Sequence, residues 1–156
     1  MKRDIEQLVS EHPFFAGMRP EWLTLVAGCG RNVGFKAGDL LARAGQPSEA
    51  FYALRHGRVA LEVHAPGKGA LTIQTLQAGD ILGWSWLFPP HRWDVDARAL
   101  EDLRAVAFDC VCLRGKCDAD PAFGYDFMRR FAQVFVKRLE ATRLQLLDVY
   151  NVGPAS

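Results

Sequence analysis

The sequence predicts a mainly β domain with helices at both ends. Short strands close into a sandwich or a double-stranded β-helix (jelly-roll) barrel, with N-terminal helices before it and one long C-terminal helix after it. Three observations carry this reading. Turn punctuation recurs at spacings of about 8–12 residues from Asn32 to Asp109, as in sandwiches and barrels. Val59, Leu61 and Val63 alternate with Ala60, Glu62 and His64, the pattern of a half-buried strand. From Ala122 to Tyr150 the chain has no proline and only Gly124 as a weak point, so it reads as one helix of about 40 Å.

Residues 4–10 form a first short helix, broken by His12-Pro13, and Phe14-Phe15 then supply two aromatic anchors. Pro20 suits the first turn of a second helix, which Gly28 and Gly30 end. The strand candidates are LLARA, FYALR, RVALEVH, ALTIQTL, DVDARAL and RAVAFD. Breaks fall at Lys36–Asp39, Gly45–Ser48, His56-Gly57, Pro66–Gly69, Gln77–Asp80 and Pro89-Pro90. Asp109 caps a short helix through Cys117, and Asp120-Pro121 starts the long one, with Asp120 as N-cap. The domain plan is a roll with its N-terminal helices over 1–118, a long helix over 119–150 and a tail over 151–156.

The 156 residues suffice for one core, and 49% hydrophobic and 24% charged residues are ordinary for a globular chain. A net charge of +1 with no block of like charge gives no footprint for DNA or an acidic membrane. The N-terminus lacks an apolar signal region, and no apolar run approaches the roughly 18 residues a membrane span needs. A cytoplasmic address is expected. Cys29, Cys110, Cys112 and Cys117 read as small buried thiols rather than a disulfide framework. Cys110-x-Cys112 with Cys117 has no fourth ligand nearby, so no zinc or cluster is expected. A cupin-like enzyme needs a His-x-His pair, which is absent, and no nucleophile elbow or phosphate-cradling lysine loop occurs. The chain reads as non-catalytic.

Gly79 to Ala99, GDILGWSWLFPPHRWDVDARA, is the informative stretch. It sets a glycine before a short apolar turn, stops that turn with Pro89-Pro90 and resumes as a strand with Val95, Ala97 and Ala99 on one side. Such a turn aims free backbone N–H groups at an anion. The stretch resembles the phosphate-binding cassette of the cyclic nucleotide-binding domain in the Crp/Fnr superfamily. Gly79, Asp80, Gly83, Leu87, Phe88, Arg98 and Ala99 keep the frame, and Phe51 to Gly57 resembles the family's aromatic strand and turn. Trp84 stands at the family's ribose-binding Glu, and Trp93-Asp94 fall on its Arg-Ser. A one-residue bulge would instead bring Arg92 to the phosphate-binding Arg position.

The resemblance implies an eight-stranded jelly roll and a ligand site at Gly83, Trp84, Ser85, Trp86, Arg92, Trp93, Asp94 and Thr142, the last matching the position on the long helix that meets the base. Trp84, Trp86 and Trp93 either wall an aromatic pocket or fill the space of a lost nucleotide. The ligand is a cyclic nucleotide or another small molecule. The resemblance also implies a homodimer paired through residues 127–149. There Met128, Phe131, Phe135, Thr142, Leu146 and Val149, with Leu139 beside them, recur at spacings of three and four. Crp/Fnr regulators continue into a helix-turn-helix domain, whereas six residues follow Tyr150. The expected function is therefore a ligand sensor acting through an unidentified output protein, without direct DNA binding. The alternative is a Crp/Fnr-type transcription regulator that reaches DNA through that partner.

Overall fold

The computed structural model describes residues 4–150; the 151–156 tail lies outside the described residues. Helix α1 (Ile5–Glu11) starts where the Asp4 carboxylate accepts the Gln7 N–H, and Pro13–Phe15 follows as a single 3-10 turn. Helix α2 (Pro20–Ala27) places Pro20 at its first position, where no N–H is missed.

Eight strands follow: β1 (Gly30–Phe35), β2 (Leu40–Ala42), β3 (Ala50–His56), β4 (Arg58–Ala65), β5 (Gly69–Gln77), β6 (Ile81–Leu82), β7 (Asp96–Ala99) and β8 (Leu103–Asp109). They form two antiparallel four-stranded sheets, ordered β1-β8-β3-β6 and β2-β7-β4-β5. The six strand candidates correspond to β2, β3, β4, β5, β7 and β8. The unlisted two have weak signals: β1 has no fully buried residue, and β6 is two residues long. Helix α3 (Cys110–Ala119) is capped by Asp109, whose carboxylate accepts the Cys112 N–H at 3.0 Å. Helix α4 (Pro121–Tyr150) begins with the Asp120 side chain on the Phe123 N–H.

Two cores share one sheet. On β3 and β8, Leu54, Leu103 and Ala105 face the interior of the roll, while Phe51, Ala53, Val106 and Phe108 face the helices. Both faces of these strands are buried, so FYAL and AVAF read as continuous apolar runs. Phe51 stacks on Phe108 and on Trp86, and Phe127 and Phe131 of α4 meet it edge-on.

This packing corrects the α4 stripe. Phe131 is fully buried in its own chain and is not open to a second copy, whereas Phe135 is half-buried against Trp84 and keeps part of its surface free. Further along α4 the side chains are uncovered: Leu139, Leu146 and Val149 are 55%, 52% and 67% exposed. The cysteine expectation is corrected too. Cys29 and Cys112 form a disulfide across 83 residues. Sequence spacing could not show it, because the pairing follows from β8 bringing the Asp109 N–H to 2.8 Å from the Cys29 carbonyl. Cys110 and Cys117 remain thiols, pushed by burial up to about 12 and about 11.

His12 joins the N-terminal turn to the roll. Its Nε2 donates to the Leu54 carbonyl at 3.0 Å, and its Nδ1 accepts the Phe14 N–H at 3.2 Å. Both bonds need the neutral ring, and burial holds its pKa below the ordinary value against the opposing pull of the Leu54 carbonyl and the Asp80 charge. The unfolded chain therefore takes up the extra proton first, at about pH 6.5. Stability should hold above that value and fall as pH drops below it. Denaturant midpoints measured from pH 7.5 to 5 (about the range of a histidine titration) should show this slope, flattened in His12→Gln.

Candidate functional site: the cassette cavity

The cassette begins where β6 ends. Gly83 has φ +104°, a conformation that side chains disfavour, and the Trp93 ring lies against it. A Cβ at Gly83 would stand 2.7 Å from Trp93 Cη2 and 3.3 Å from Phe51 Cβ. The 3-10 turn Ser85–Leu87 follows, then a cis bond at Pro89-Pro90, then Arg92 and Trp93 returning toward β7.

A cavity of about 190 Å³ opens between the cassette, β4–β5 and α4. The cassette contributes Gly83, Trp84, Ser85, Trp93, Asp94 and Val95, and α4 contributes Arg138 and Thr142. On β5 a register shift sets Leu61 opposite Gln74 and Glu62 opposite Thr72, leaving Ile73 as a bulge. The adjacent residues Ile73 and Gln74 consequently both border the cavity.

Six of the eight expected residues thus come together: Gly83, Trp84, Ser85, Trp93, Asp94 and Thr142. Two do not. Trp86 is fully buried in the helix-side core, stacked on Phe51 at 5.3 Å with ring planes 12° apart. The three-tryptophan pocket is therefore a two-tryptophan cavity. Arg92 is exposed, pairs its backbone with Pro47 and donates Nη1 to the Gly45 carbonyl at 2.8 Å. No bulge carries it inward: the irregularity that β7 meets lies on β2, between Leu40 and Ala42. Trp93-Asp94 hold the positions next to the cavity.

Arg138 is the residue that sequence reasoning missed. Its guanidinium donates to the Ile81 carbonyl at the head of the cassette, and burial draws its pKa down against the opposing charges of Asp80 and Asp94. The signal was present, because Thr142 lies one turn further along and donates Oγ1 to the Arg138 carbonyl. Trp84 adds a second link to α4, meeting Phe135 edge-on at 5.7 Å. Among the described residues, no group of three His, Cys, Asp or Glu is placed to hold a metal. No helix there is long and apolar enough to cross a membrane.

The cyclic nucleotide-binding domain family matches residues 32–120, more than half of the chain. The chain belongs to that family. The family is a regulatory one. A CRP-like cAMP-activated global transcriptional regulator of Mycobacterium tuberculosis is 22% identical over 145 residues, covering 93% of this chain and 63% of the relative. The chain thus spans under two-thirds of the curated relatives it matches. A putative cyclic nucleotide-binding protein from Geobacter metallireducens superposes with a TM-score of 0.77 at 25% identity, over 88% of this chain and 99% of that one. A cyclic nucleotide-binding domain from Methylobacillus flagellatus shares the fold at a TM-score of 0.79 and 18% identity, over 98% and 85%.

Gly83→Val should cost about 2 kcal/mol or more, through both the positive φ and the Trp93 contact. Combining it with Trp93→Ala should relieve only the contact, so the double variant should fall short of additivity in urea unfolding. Strict additivity would show that the ring and the turn are independent.

Proposed function

We propose that the chain is a non-catalytic regulatory domain that reads a small ligand in the cassette cavity and signals through α4 to a partner protein. One observation carries the reading: the same cavity is bordered by the cassette and by Arg138 and Thr142 of α4, so a ligand there touches both.

The ligand code departs from a nucleotide site. A buried phosphate needs cations and N–H donors, and among the described residues the one cation on this cavity is Arg138. Asp94 beside it repels an anion, and Trp93 covers the Gly83 turn. At about 190 Å³ the cavity is below the roughly 300–1,000 Å³ usual for ligand pockets. A compact ligand carrying one negative charge, or a small planar one, suits it better than cyclic AMP or cyclic GMP. The transcription-regulator reading differs only in which partner receives the signal.

A melting-temperature panel tests this. A ligand at 100 times its Kd adds about 2.7 kcal/mol, a shift of several degrees for a domain of this size. Neither cyclic nucleotide at millimolar concentration should move the wild type. A compact monoanion should, and Arg138→Gln should remove its shift. A clear shift with cyclic AMP would overturn the degenerate cassette, and a silent panel would overturn the sensor.

The exposed distal half of α4 supports a homodimer as the output form. Leu139, Leu146 and Val149 continue the stripe beyond the chain's own core, with Leu144, Leu147 and Tyr150 beside them. Light scattering should give twice 17.4 kDa at micromolar concentration. Leu146→Glu should yield a folded monomer, whereas Phe131→Glu should unfold the chain because its partners are internal. A wild-type monomer would sink the dimer.

A further inference from the structure

The disulfide lies in a different cavity from the cassette. Cys29 and Cys112 border a space of about 660 Å³, together with Arg31, Glu49, Tyr52 and Asp109, and Trp93 is the residue it shares with the cassette cavity. The two sulfurs are unequal. Cys29 is 7% exposed, whereas Cys112 is half-buried in the first turn of α3 and is the sulfur an incoming thiolate can reach. The Lys116 ammonium bonds the Leu25 carbonyl and lies against Gly28, where a Cβ would be 2.8 Å from Nζ.

The elements that the bond joins are also held without it. The Asp109 N–H reaches the Cys29 carbonyl at 2.8 Å, and Lys116 ties α3 to the end of α2 at 2.6 Å. Opening the bond therefore leaves both corners in place, unlike a crosslink that alone fixes its region. The remaining thiols do not compete, since Cys110 is buried with a high pKa and Cys117 packs against Gly124.

We propose that Cys29 and Cys112 form a thiol–disulfide exchange site for a low-molecular-weight thiol bearing a carboxylate, which enters this cavity. The cavity falls within the usual size range for ligands; Arg31 at its edge matches the carboxylate, and Glu49 and Asp109 on the same cavity suit a thiol that also carries an ammonium, as glutathione does. A thiolate attacks Cys112 Sγ, forming a mixed disulfide as the Cys29–Cys112 bond breaks. The electron pair leaves on Cys29 Sγ, which then takes a proton from water. A second thiolate attacks the small-molecule sulfur of the mixed disulfide and releases Cys112. In total, two thiols are oxidised to one disulfide, and the protein disulfide gains two electrons to become a dithiol.

The test uses the full oxidised chain in native buffer, treated with reduced glutathione, quenched with acid and mapped by peptide mass. The Cys29–Cys112 crosslink should disappear with a transient glutathionyl group on Cys112, and Cys110 and Cys117 should carry none. Glutathione should react several-fold faster than β-mercaptoethanol at equal thiolate concentration, and Arg31→Ala should narrow that gap. In Cys29→Ser, oxidised glutathione should place one glutathionyl group on Cys112, which keeps the proposal testable without the bond. Three results would overturn it: a crosslink that yields only in denaturant, an adduct on Cys29, or equal rates for the two thiols.

Discussion

The structure depends on the burial of two rings, Phe51 on β3 and Trp86 in the cassette, stacked face to face between the sheet and α4. Phe51 also stacks on Phe108 at 4.9 Å, and Phe131 meets both Phe51 and Trp86 edge-on. Each ring buries roughly 150–250 Å², so removing one opens a cavity worth about 3–5 kcal/mol. What matters for function is where the rings come from. Trp86 belongs to the cassette, Phe131 to the long helix and Phe51 to the sheet, so one aromatic cluster fixes three parts at once. The Arg114 guanidinium holds the backbone of the same turn, donating to the Trp86 carbonyl at 2.7 Å.

Much of the fold was legible because local chemistry and global packing agree. Pro20 and Asp120-Pro121 open helices where their chemistry places them, and Gly79-Asp80 turns the chain into β6. The two strands without a clear signal fail for separate reasons. β1 buries none of its residues fully, and β6 is too short for any period to show. The stripe on α4 misled in another way. Periodicity identifies a face that must be covered but not what covers it, and the first part of that face meets Phe14, Phe51 and Trp86 of its own chain.

At the site, the frame was legible and part of its lining was not. Gly83 and Trp93 were marked by the turn and the strand around them, and their contact follows from a glycine with no side chain to keep the ring away. Trp86 was grouped with its neighbours because three tryptophans lie close in sequence. A 3-10 turn, however, carries neighbouring side chains to different sides, and Trp86 points away from Trp84 into the aromatic cluster. Arg138 went unremarked because a lone arginine on a helix is usually solvated. Its importance comes from tertiary placement: it reaches the Ile81 carbonyl 57 positions back in the chain.

That placement also bears on how a signal would travel. A ligand shifts a conformational equilibrium only through contacts that differ between the states. Trp84 against Phe135 is a ring contact that a small displacement weakens without breaking. The bond from Arg138 to Ile81 is different, because a charged hydrogen bond is made or lost as a unit, worth about 1.5–3 kcal/mol. An anion that takes over the guanidinium must displace the Ile81 carbonyl or recruit the donors it leaves unused. In the first case β6, at the head of the cassette, loses this polar tie to α4, and in the second it gains another. Either outcome alters the tie by an amount in the usual range of allosteric coupling, about 1–3 kcal/mol. Thr142 and Gln145 extend the contact outward, Thr142 to the Arg138 carbonyl and Gln145 to the Ile73 carbonyl on the bulge of β5. The point where α4 leaves the roll is therefore set by polar bonds rather than apolar packing. Polar bonds at a half-exposed edge exchange readily with water or ligand, so in the proposed sensor this edge, rather than the aromatic cluster, is where a ligand would act on the helix.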